Sequence, residues 1–335
     1  MFQRRANLLV IRTVSHNCSA FCISLCYVSG SDLLVDLHRV AASRTPPQMS
    51  DAMRKETIGE CELYLGDCRE VIPTLGLFDA VITSPPYNLG VSSGGGFPSK
   101  FVRNHGHYDP NGGYSKRGGG GKWKGAAIAD GYGTHDDKMP WGEYEDWQRE
   151  VLTLCWSHLT AAGGIFYNHK PRAQACEIWL PLALNPDLPL RQIVIWARAG
   201  GINFAPTHYL PMHEWVMILA KPDFRLRDKG ASGVGDVWYI PQESGTEHPC
   251  PFPIGLPLRI LETVPAKTVL DPFMGSGTTG AACIKRGRSF VGIELDQKWF
   301  DLACRKLELA YQQPDMFVAP EPKPKPEQLN LLAGE

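Results

Sequence analysis

The sequence lacks several features that would place it at once in a class of proteins. Its formal net charge is only −1, so no global field attracts it to nucleic acid, and any basic surface must be local. No apolar run approaches the roughly 18 residues that a membrane-spanning helix needs. The ten cysteines include no C-x-x-C pair and no zinc-type spacing with histidine. These absences favour a cytoplasmic protein with free thiols and no metal centre.

Regular patterning is also missing from both ends of the chain. Residues 1–53 carry none of the motifs found later, and we expect them to be a poorly ordered or dispensable extension. Residues 314–335 alternate prolines with charged residues, which predicts a disordered tail. The part between them, residues 54–313, has the alternating strand and helix patterns of an α/β domain and is long enough to bury a large core.

A pair of prolines follows the buried strand that the apolar run 78–82 predicts. Pro85 and Pro86 end this strand because they lack an N–H donor. The strand therefore stops at the carboxyl edge of the predicted sheet, where open α/β sheets bind ligands. Ser84 and Tyr87 flank the prolines, so a hydroxyl, a rigid carbonyl and an aromatic ring lie together. That set suits a flat ring carrying an amine; the alternative is a structural Pro-Pro turn with a core tyrosine.

A second motif near the other end of the chain predicts a nucleoside site. Residues 269–271 predict a strand, 272–278 a tight glycine turn, 279–285 a helix, and 289–293 a second strand that ends at Glu294. Glycines in such a turn let a ligand approach the backbone closely. An acid at the end of the second strand is well placed to accept hydrogen bonds from ribose hydroxyls.

The identity of the nucleoside follows from what surrounds the glycines. Gly275, Gly277 and Gly280 match the dinucleotide fingerprint, but too little chain follows them to complete a dinucleotide fold. No lysine follows the glycines, which argues against a Walker-type phosphate loop. No cationic residue lies between Asp271 and Ile284. Asp271 therefore suits a ligand with a cationic part, such as the ammonium and sulfonium groups of S-adenosylmethionine.

Taken together, residues 83–88 and 271–280 resemble the two signature motifs of the amino-group DNA methyltransferases, which modify the exocyclic nitrogen of cytosine or adenine. The catalytic motif precedes the cofactor motif, as in the permuted beta group. Residues 63–68 resemble the strand–acid motif of that family, and residues 248–253 resemble its remaining cofactor motif. The resemblance covers most of residues 58–311.

This resemblance implies a Rossmann-like, S-adenosylmethionine-dependent methyltransferase fold with a mostly parallel central sheet, helices on both faces and circularly permuted motifs. It implies direct methyl transfer to a base flipped out of double-stranded DNA. The implied catalytic residues, which accept the amine hydrogens and stack on the base, are Ser84, Pro85, Pro86 and Tyr87. The implied cofactor residues are Asp67, Cys68, His248, Pro249, Phe252, Asp271, Pro272, Phe273, Gly275, Ser276, Gly277, Thr278, Thr279 and Glu294.

Fewer residues indicate which base is methylated and which partners the protein has. In the family, serine at the position of Ser84 is typical of N4-cytosine enzymes, and Asp or Asn of N6-adenine enzymes. Cytosine is therefore expected, with adenine as the alternative. An RNA or protein methyltransferase, or a DNA-binding relative without catalysis, is a further alternative. A cognate restriction endonuclease is a candidate partner. The protein is expected to be cytoplasmic, prokaryotic or phage-encoded, and a monomer or a homodimer.

The expected DNA-binding surface is a glycine-rich, basic and aromatic insertion at residues 90–134, which has no helical or strand period. A surface insertion without DNA contact is the alternative. The interval 221–247, where the family often has its recognition region, is short here, so recognition is expected to involve the insertion and residues 198–209. The cations expected to contact DNA are Lys100, Arg103, Lys116, Arg117, Lys122, Lys124, Lys170, Arg172 and Arg198.

The remaining patterns complete the predicted sheet. Helical spacing predicts a helix from Trp141 through Leu159 that ends at Gly163-Gly164, and residues 165–168 then predict a short strand. Residues 191–196 and 214–219 predict two more strands. The loop that joins them is expected at the same side of the sheet as the Pro-Pro segment.

Overall fold

A computed structural model describes five stretches of the chain, namely residues 54–88, 139–174, 177–198, 208–243 and 253–312. The predicted N-terminal extension, glycine-rich insertion and proline-rich tail lie outside these stretches. None of the helices within them is both long enough and apolar enough to cross a membrane.

The described residues form eleven strands and six α-helices. The strands are β1 (Lys55–Ile58), β2 (Cys61–Leu65), β3 (Phe78–Thr83), β4 (Leu159–His169), β5 (Arg172–Gln174), β6 (Glu177–Trp179), β7 (Leu190–Ala197), β8 (His213–Ala220), β9 (Val237–Tyr239), β10 (Thr268–Asp271) and β11 (Ser289–Glu294). The helices are α1 (Cys68–Val71), α2 (Trp141–Ser157), α3 (Lys229–Ser232), α4 (Gly255–Thr263), α5 (Thr278–Lys285) and α6 (Gln297–Gln312). Two short 3-10 helices cover Ile72–Thr74 and Pro181–Leu184.

Nine of these strands form one sheet in the order β1-β2-β11-β10-β3-β4-β8-β7-β9. All neighbours from β2 to β4 pair parallel. Strand β8 runs antiparallel to both β4 and β7, β1 runs antiparallel to β2, and β9 pairs parallel with β7. The predicted mostly parallel sheet is therefore confirmed. Strands β5 and β6 form a separate two-stranded ribbon.

The core lies on both faces of the sheet, because successive side chains of a strand point to opposite faces. Along β3, Ala80 and Ile82 join one buried cluster, and Val81 joins the other. The first cluster contains buried side chains of α4, α5 and α6, and the second contains those of α1 and α2. Helices thus cover both faces, as expected for an α/β domain.

The predicted end of the long helix was wrong. Helix α2 ends at Ser157, and β4 already begins at Leu159 and continues through both glycines to His169. The pairing of β3 with β4 jumps from Phe78–Leu159 to Ala80–Gly164, so the residues between form a bulge. Gly164 is closely packed there, since a Cβ would lie 3.2 Å from the ring of Phe224. These glycines mark a crowded strand rather than a helix end.

Candidate active site

The strands that precede the two sequence motifs are neighbours. Strand β3 pairs in parallel with β10, with Val269 opposite Ala80, so both strands end at the same edge of the sheet. At this edge the Thr83 hydroxyl donates to Asp271 Oδ1 over 2.7 Å. The fold therefore brings together two motifs that lie far apart in the sequence.

The glycine turn between β10 and α5 depends on backbone conformations that other residues avoid. Gly275 and Gly277 have φ values of 51° and 77°. A Cβ on Gly277 would lie 2.8 Å from Leu307 Cδ1, and one on Gly280 would lie 2.8 Å from the ring of Phe290. The first two glycines thus shape the turn, and the third lets α5 pack closely on the sheet.

Asp271 holds this turn to β3. Its side chain is buried, with 4% exposed. Oδ1 accepts hydrogen bonds from Thr83 and from the Phe273 amide at 3.1 Å, and Oδ2 accepts one from Thr279 Oγ1 at 2.7 Å. Burial raises the pKa of Asp271 to about 6, although these hydrogen bonds favour the ionised form. Its predicted contact with a cationic part of the cofactor stays a prediction.

Glu294, at the end of β11, is bound to the same turn. Its Oε2 accepts from the Gly275 amide and its Oε1 from the Asp296 amide, both over 2.9 Å. Burial raises the pKa of Glu294 to about 7, while the backbone hydrogen bonds act in the opposite direction. The carboxyl group therefore lies beside the turn with unusually weak acidity. Its contact with a ribose stays a prediction.

The predicted strand–acid motif lies next to Glu294. The Gly66 amide donates to the Glu294 carbonyl at 2.8 Å. Asp67 follows β2 and caps α1, accepting from the Arg69 amide at 2.9 Å and from its guanidinium at 2.6 Å. Cys68 is buried, which raises the pKa of its thiol well above the ordinary value. The loop after β2 and the glycine turn therefore lie side by side at one edge of the sheet, and the contact of Asp67 with an adenine stays a prediction.

The Pro-Pro segment is fixed at the same edge by side chains from other elements. Tyr87 is only 7% exposed, and its ring centroid lies 4.3 Å from that of His169. Its hydroxyl lies 2.9 Å from Ser84 Oγ. The Pro86 carbonyl accepts a hydrogen bond from the Tyr144 hydroxyl at 2.8 Å. Asn88 has a positive φ of 52°, and its amide donates to the Met139 carbonyl at 2.8 Å. The segment is therefore pre-organised; stacking of Tyr87 on a base stays a prediction.

The chain matches known proteins both in sequence and in fold. The profile of a DNA methylase family, which covers the N6 and N4 methylases, matches residues 78–305, more than half of the chain. The chain belongs to this family. The predicted family and fold are confirmed, and S-adenosylmethionine is the cofactor of the family.

Among the proteins that this DNA methylase is similar to, one is named as an adenine methyltransferase and another as a cytosine-N4-specific methyltransferase. The Type II methyltransferase M.BglI of Bacillus subtilis is 38% identical over 112 residues, which are 30% of this chain and 32% of that protein. The DNA adenine methyltransferase YhdJ of Escherichia coli is 24% identical over 200 residues, 49% of this chain and 67% of that protein. The crystal structure of PvuII DNA methyltransferase (cytosine-N4-specific) superposes with a TM-score of 0.56 at 14% identity, covering 80% of this chain and 92% of that one.

The other predicted cofactor residues of this methylase take different places around the turn. Pro272 is buried, Ser276 is half-buried, and the Phe273 ring packs against Trp147 with centroids 5.5 Å apart. Thr278 is buried and accepts from the Lys306 ammonium at 2.8 Å. The predicted residues that lie outside the described stretches are His248, Pro249, Phe252, Lys100, Arg103, Lys116, Arg117, Lys122 and Lys124.

The three predicted DNA-contacting cations that are described lie close together. Lys170, Arg172 and Arg198 line one open cleft at the carboxyl edge of the sheet. Arg172 donates to the Asn88 carbonyl at 3.1 Å, and Arg198 lies 3.2 Å from Glu214 Oε1. The cleft therefore begins directly beside the Pro-Pro segment.

The sequence did not identify three buried polar residues of the site, namely Asn168, His169 and Glu214. His169 lies 2.9 Å from the Tyr144 hydroxyl, and burial lowers the pKa of its imidazole to about 3. The side chain is fully buried, so it is not an exposed contact for phosphate. The signal that could have found these residues is the polar interruption at the ends of the otherwise apolar strands β4 and β8.

Proposed function

We propose that this chain transfers a methyl group from S-adenosylmethionine to the exocyclic N4 of a cytosine flipped out of double-stranded DNA. The observation that carries the proposal is the placement of Ser84. Its half-buried hydroxyl stands at the same sheet edge as the glycine turn, and the neighbouring Thr83 is hydrogen-bonded to Asp271 of the cofactor motif over 2.7 Å. An acceptor site and a nucleoside site are thus adjacent.

The residues of the chain act mainly by holding groups in place. Bound S-adenosylmethionine would supply the methyl group from its sulfonium. The amine nitrogen takes this methyl group, S-adenosylhomocysteine leaves as the neutral thioether, and one amine proton passes to solvent. Ser84 Oγ and the Pro85 carbonyl would accept the amine hydrogens and favour a more pyramidal nitrogen, whose lone pair is then more available. Because Tyr144 fixes the Pro86 carbonyl at 2.8 Å, these acceptors need little reorganisation during transfer.

N6-adenine is the second candidate, and Asn168 favours it. This residue is 1% exposed, its Oδ1 has no hydrogen-bond partner in the described part of the chain, and its Nδ2 lies 3.4 Å from Ser84 Oγ. An amide oxygen here could accept from an adenine amine, as the Asn or Asp of adenine enzymes would. YhdJ shows that a relative of this chain acts on adenine.

Several further roles belong to the same proposal. Lys170, Arg172 and Arg198 would contact the phosphates that flank the flipped base, because they line one cleft and Arg172 contacts the Asn88 carbonyl at the end of the Pro-Pro segment. A cognate restriction endonuclease is proposed because M.BglI is a Type II methyltransferase. The bacterial relatives support a prokaryotic or phage-encoded protein, and we further propose that it acts on DNA in the cytoplasm as a monomer or a homodimer.

The test is to incubate the full chain with methyl-labelled cofactor and unmethylated DNA, and then to digest the DNA to nucleosides. Label in N4-methylcytosine is the expected result. Label in N6-methyladenine would establish the second candidate. Incorporation of label only into RNA or protein would refute the proposed function, and so would the absence of any incorporation.

A further inference from the structure

A set of largely buried polar groups connects Ser84 to three other parts of the fold, namely the end of β4, the start of β8 and the residue after β7. We call it the acceptor network; its members are Ser84, Tyr87, Asn168, Glu214 and Arg198. Tyr87 Oη lies 2.9 Å from Ser84 Oγ and 2.8 Å from Glu214 Oε2. Asn168 Nδ2 lies 2.7 Å from Tyr87 Oη and 2.8 Å from Glu214 Oε2. Four short contacts thus join residues that follow β3, end β4 and begin β8.

The network fixes which way each hydrogen points. An ionised carboxylate accepts hydrogen bonds and donates none. Tyr87 therefore donates its only hydroxyl hydrogen to Glu214, and Asn168 must present its NH₂ rather than its oxygen to the same carboxylate. Since the Tyr87 hydrogen is committed to Glu214, the contact with Ser84 can form only if Ser84 donates to Tyr87.

Glu214 accepts the hydrogen bonds from Tyr87 and Asn168, and the guanidinium of Arg198 balances its negative charge. The residue is 5% exposed, and an unpaired charge at such a site would be costly. Arg198 Nη1 lies 3.2 Å from Glu214 Oε1, on the carboxylate oxygen opposite to the one that Tyr87 uses. The ion pair thus holds the carboxylate in place and leaves Oε2 for the tyrosine.

The direction of the Ser84 hydroxyl matters for the reaction. A serine that donates to the target nitrogen would occupy the lone pair that must attack the methyl group. A serine whose hydrogen is already given to Tyr87 has only lone pairs left, so it can only accept an amine hydrogen. Acceptance leaves the nitrogen lone pair available for transfer.

We propose that Glu214 is a positioning residue that acts through the Tyr87 hydroxyl to make Ser84 an acceptor for the target amine. This inference rests on the proposed function and assigns Tyr87 a role beyond presenting an aromatic face. Glu214 itself touches neither the base nor the cofactor in this account.

The test compares Tyr87→Phe, Glu214→Ala and Glu214→Gln with the wild-type chain in single-turnover methyl transfer to DNA. Tyr87→Phe keeps the aromatic ring and removes only the hydroxyl, so stacking is preserved. Loss of a hydrogen bond to a charged group predicts a fall in the transfer rate of about tenfold to a hundredfold. Glu214→Ala should have a similar effect, and Glu214→Gln, whose amide oxygen still accepts from Tyr87, should recover part of the rate.

The transfer rate of a double variant provides a test that is specific to the network. If Glu214 acts through Tyr87, the variant with both Tyr87→Phe and Glu214→Ala should be no slower than the slower single variant, because each change breaks the same connection. The dissociation constant of the cofactor should stay within about twofold of the wild-type value, since none of these residues borders the glycine turn. A purely structural role would instead weaken cofactor binding and transfer together.

The outcomes separate the two proposals. A wild-type chain that methylates no DNA would overturn the proposed function and this inference with it. A wild-type chain that is active while Tyr87→Phe stays within twofold of it would overturn the inference alone. Glu214→Ala leaves Arg198 unpaired and can fail to fold, and in that case Tyr87→Phe and Glu214→Gln decide the question.

Discussion

The glycine turn and the acceptor network lie at one sheet edge but are built differently. The turn takes its shape from residues close in sequence: Gly275 and Gly277 have positive φ, and Asp271 accepts from Phe273 and Thr279. The turn at the predicted nucleoside site is therefore specified largely by one continuous motif.

The acceptor network takes its members from distant parts of the chain. Tyr87 reaches Glu214 across 127 residues of sequence, and Asn168 reaches it across 46. These contacts exist only because β8 lies beside β4 in the sheet. The glycine turn, the cofactor half of the site, thus depends largely on its own local sequence, whereas the acceptor network, the acceptor half, depends on strand order. Substitutions can break either half separately.

The largest effect is expected from Ser84→Ala, which breaks the acceptor half. Methyl transfer should fall at least about a hundredfold, because a pre-organised hydrogen-bonding group at the reacting nitrogen is lost. Calorimetry should show unchanged cofactor affinity. The matched control is Ser157→Ala at the exposed end of α2, which should keep full activity. An active Ser84→Ala variant would remove the serine from the mechanism.

Gly277→Ala should break the cofactor half. The new Cβ would lie 2.8 Å from Leu307 Cδ1 at a φ of 77°, so we expect a loss of about 2–3 kcal/mol in the free energy of unfolding. Cofactor binding should weaken with it. Denaturant titration and calorimetry measure both quantities. Gly235→Ala is the control, since nothing lies within 4 Å of its added Cβ. Equal behaviour of the two variants would contradict the account of the turn.

Thr83→Val tests the connection between the halves. Valine keeps the shape but removes the 2.7 Å hydrogen bond to the buried Asp271, so the free energy of unfolding should fall by about 1–2 kcal/mol. Both cofactor affinity and transfer rate should decrease. Thr57→Val on the exposed side of β1 serves as the control. A loss of only one of the two properties would mean that the halves are not coupled here.

The smallest effect concerns pH. The pKa of Glu294 is raised to about 7, so the free site holds a proton below that pH. If ribose hydroxyls donate to this carboxylate, binding favours its ionised form, and cofactor affinity should rise as the pH increases through 7, by about tenfold at most. Calorimetry from pH 6 to 8 measures this change. Glu294→Gln should bind more weakly with a flatter profile; an unchanged slope would exclude Glu294 as its source.

The sequence predicted the turn and the strands around it well. Strands β3, β10 and β11 begin and end within a residue of their expected positions, because apolar runs and glycines are local signals. The failures have physical reasons. Gly163 and Gly164 were assigned to a helix end because a bulge opposite β3 cannot be inferred from composition. Strand β9 was missed because three residues are too few to show a period.

The acceptor network could be predicted only in part. Ser84 and Tyr87 were found because they flank a proline pair, which is a local feature. Glu214 was recognised only as the start of a strand. Its role depends on the antiparallel placement of β8 against β4, with Trp215 opposite His169. No periodicity in a single sequence specifies that pairing, so the buried carboxylate could not be connected to the serine.

The most direct test of the central claim is to map modified bases in the DNA of a methylation-free host that expresses this chain. The account predicts N4-methylcytosine at a defined sequence with the wild-type chain, and none with Ser84→Ala at the same expression level. N6-methyladenine in place of N4-methylcytosine, or modification that persists in Ser84→Ala, would contradict it.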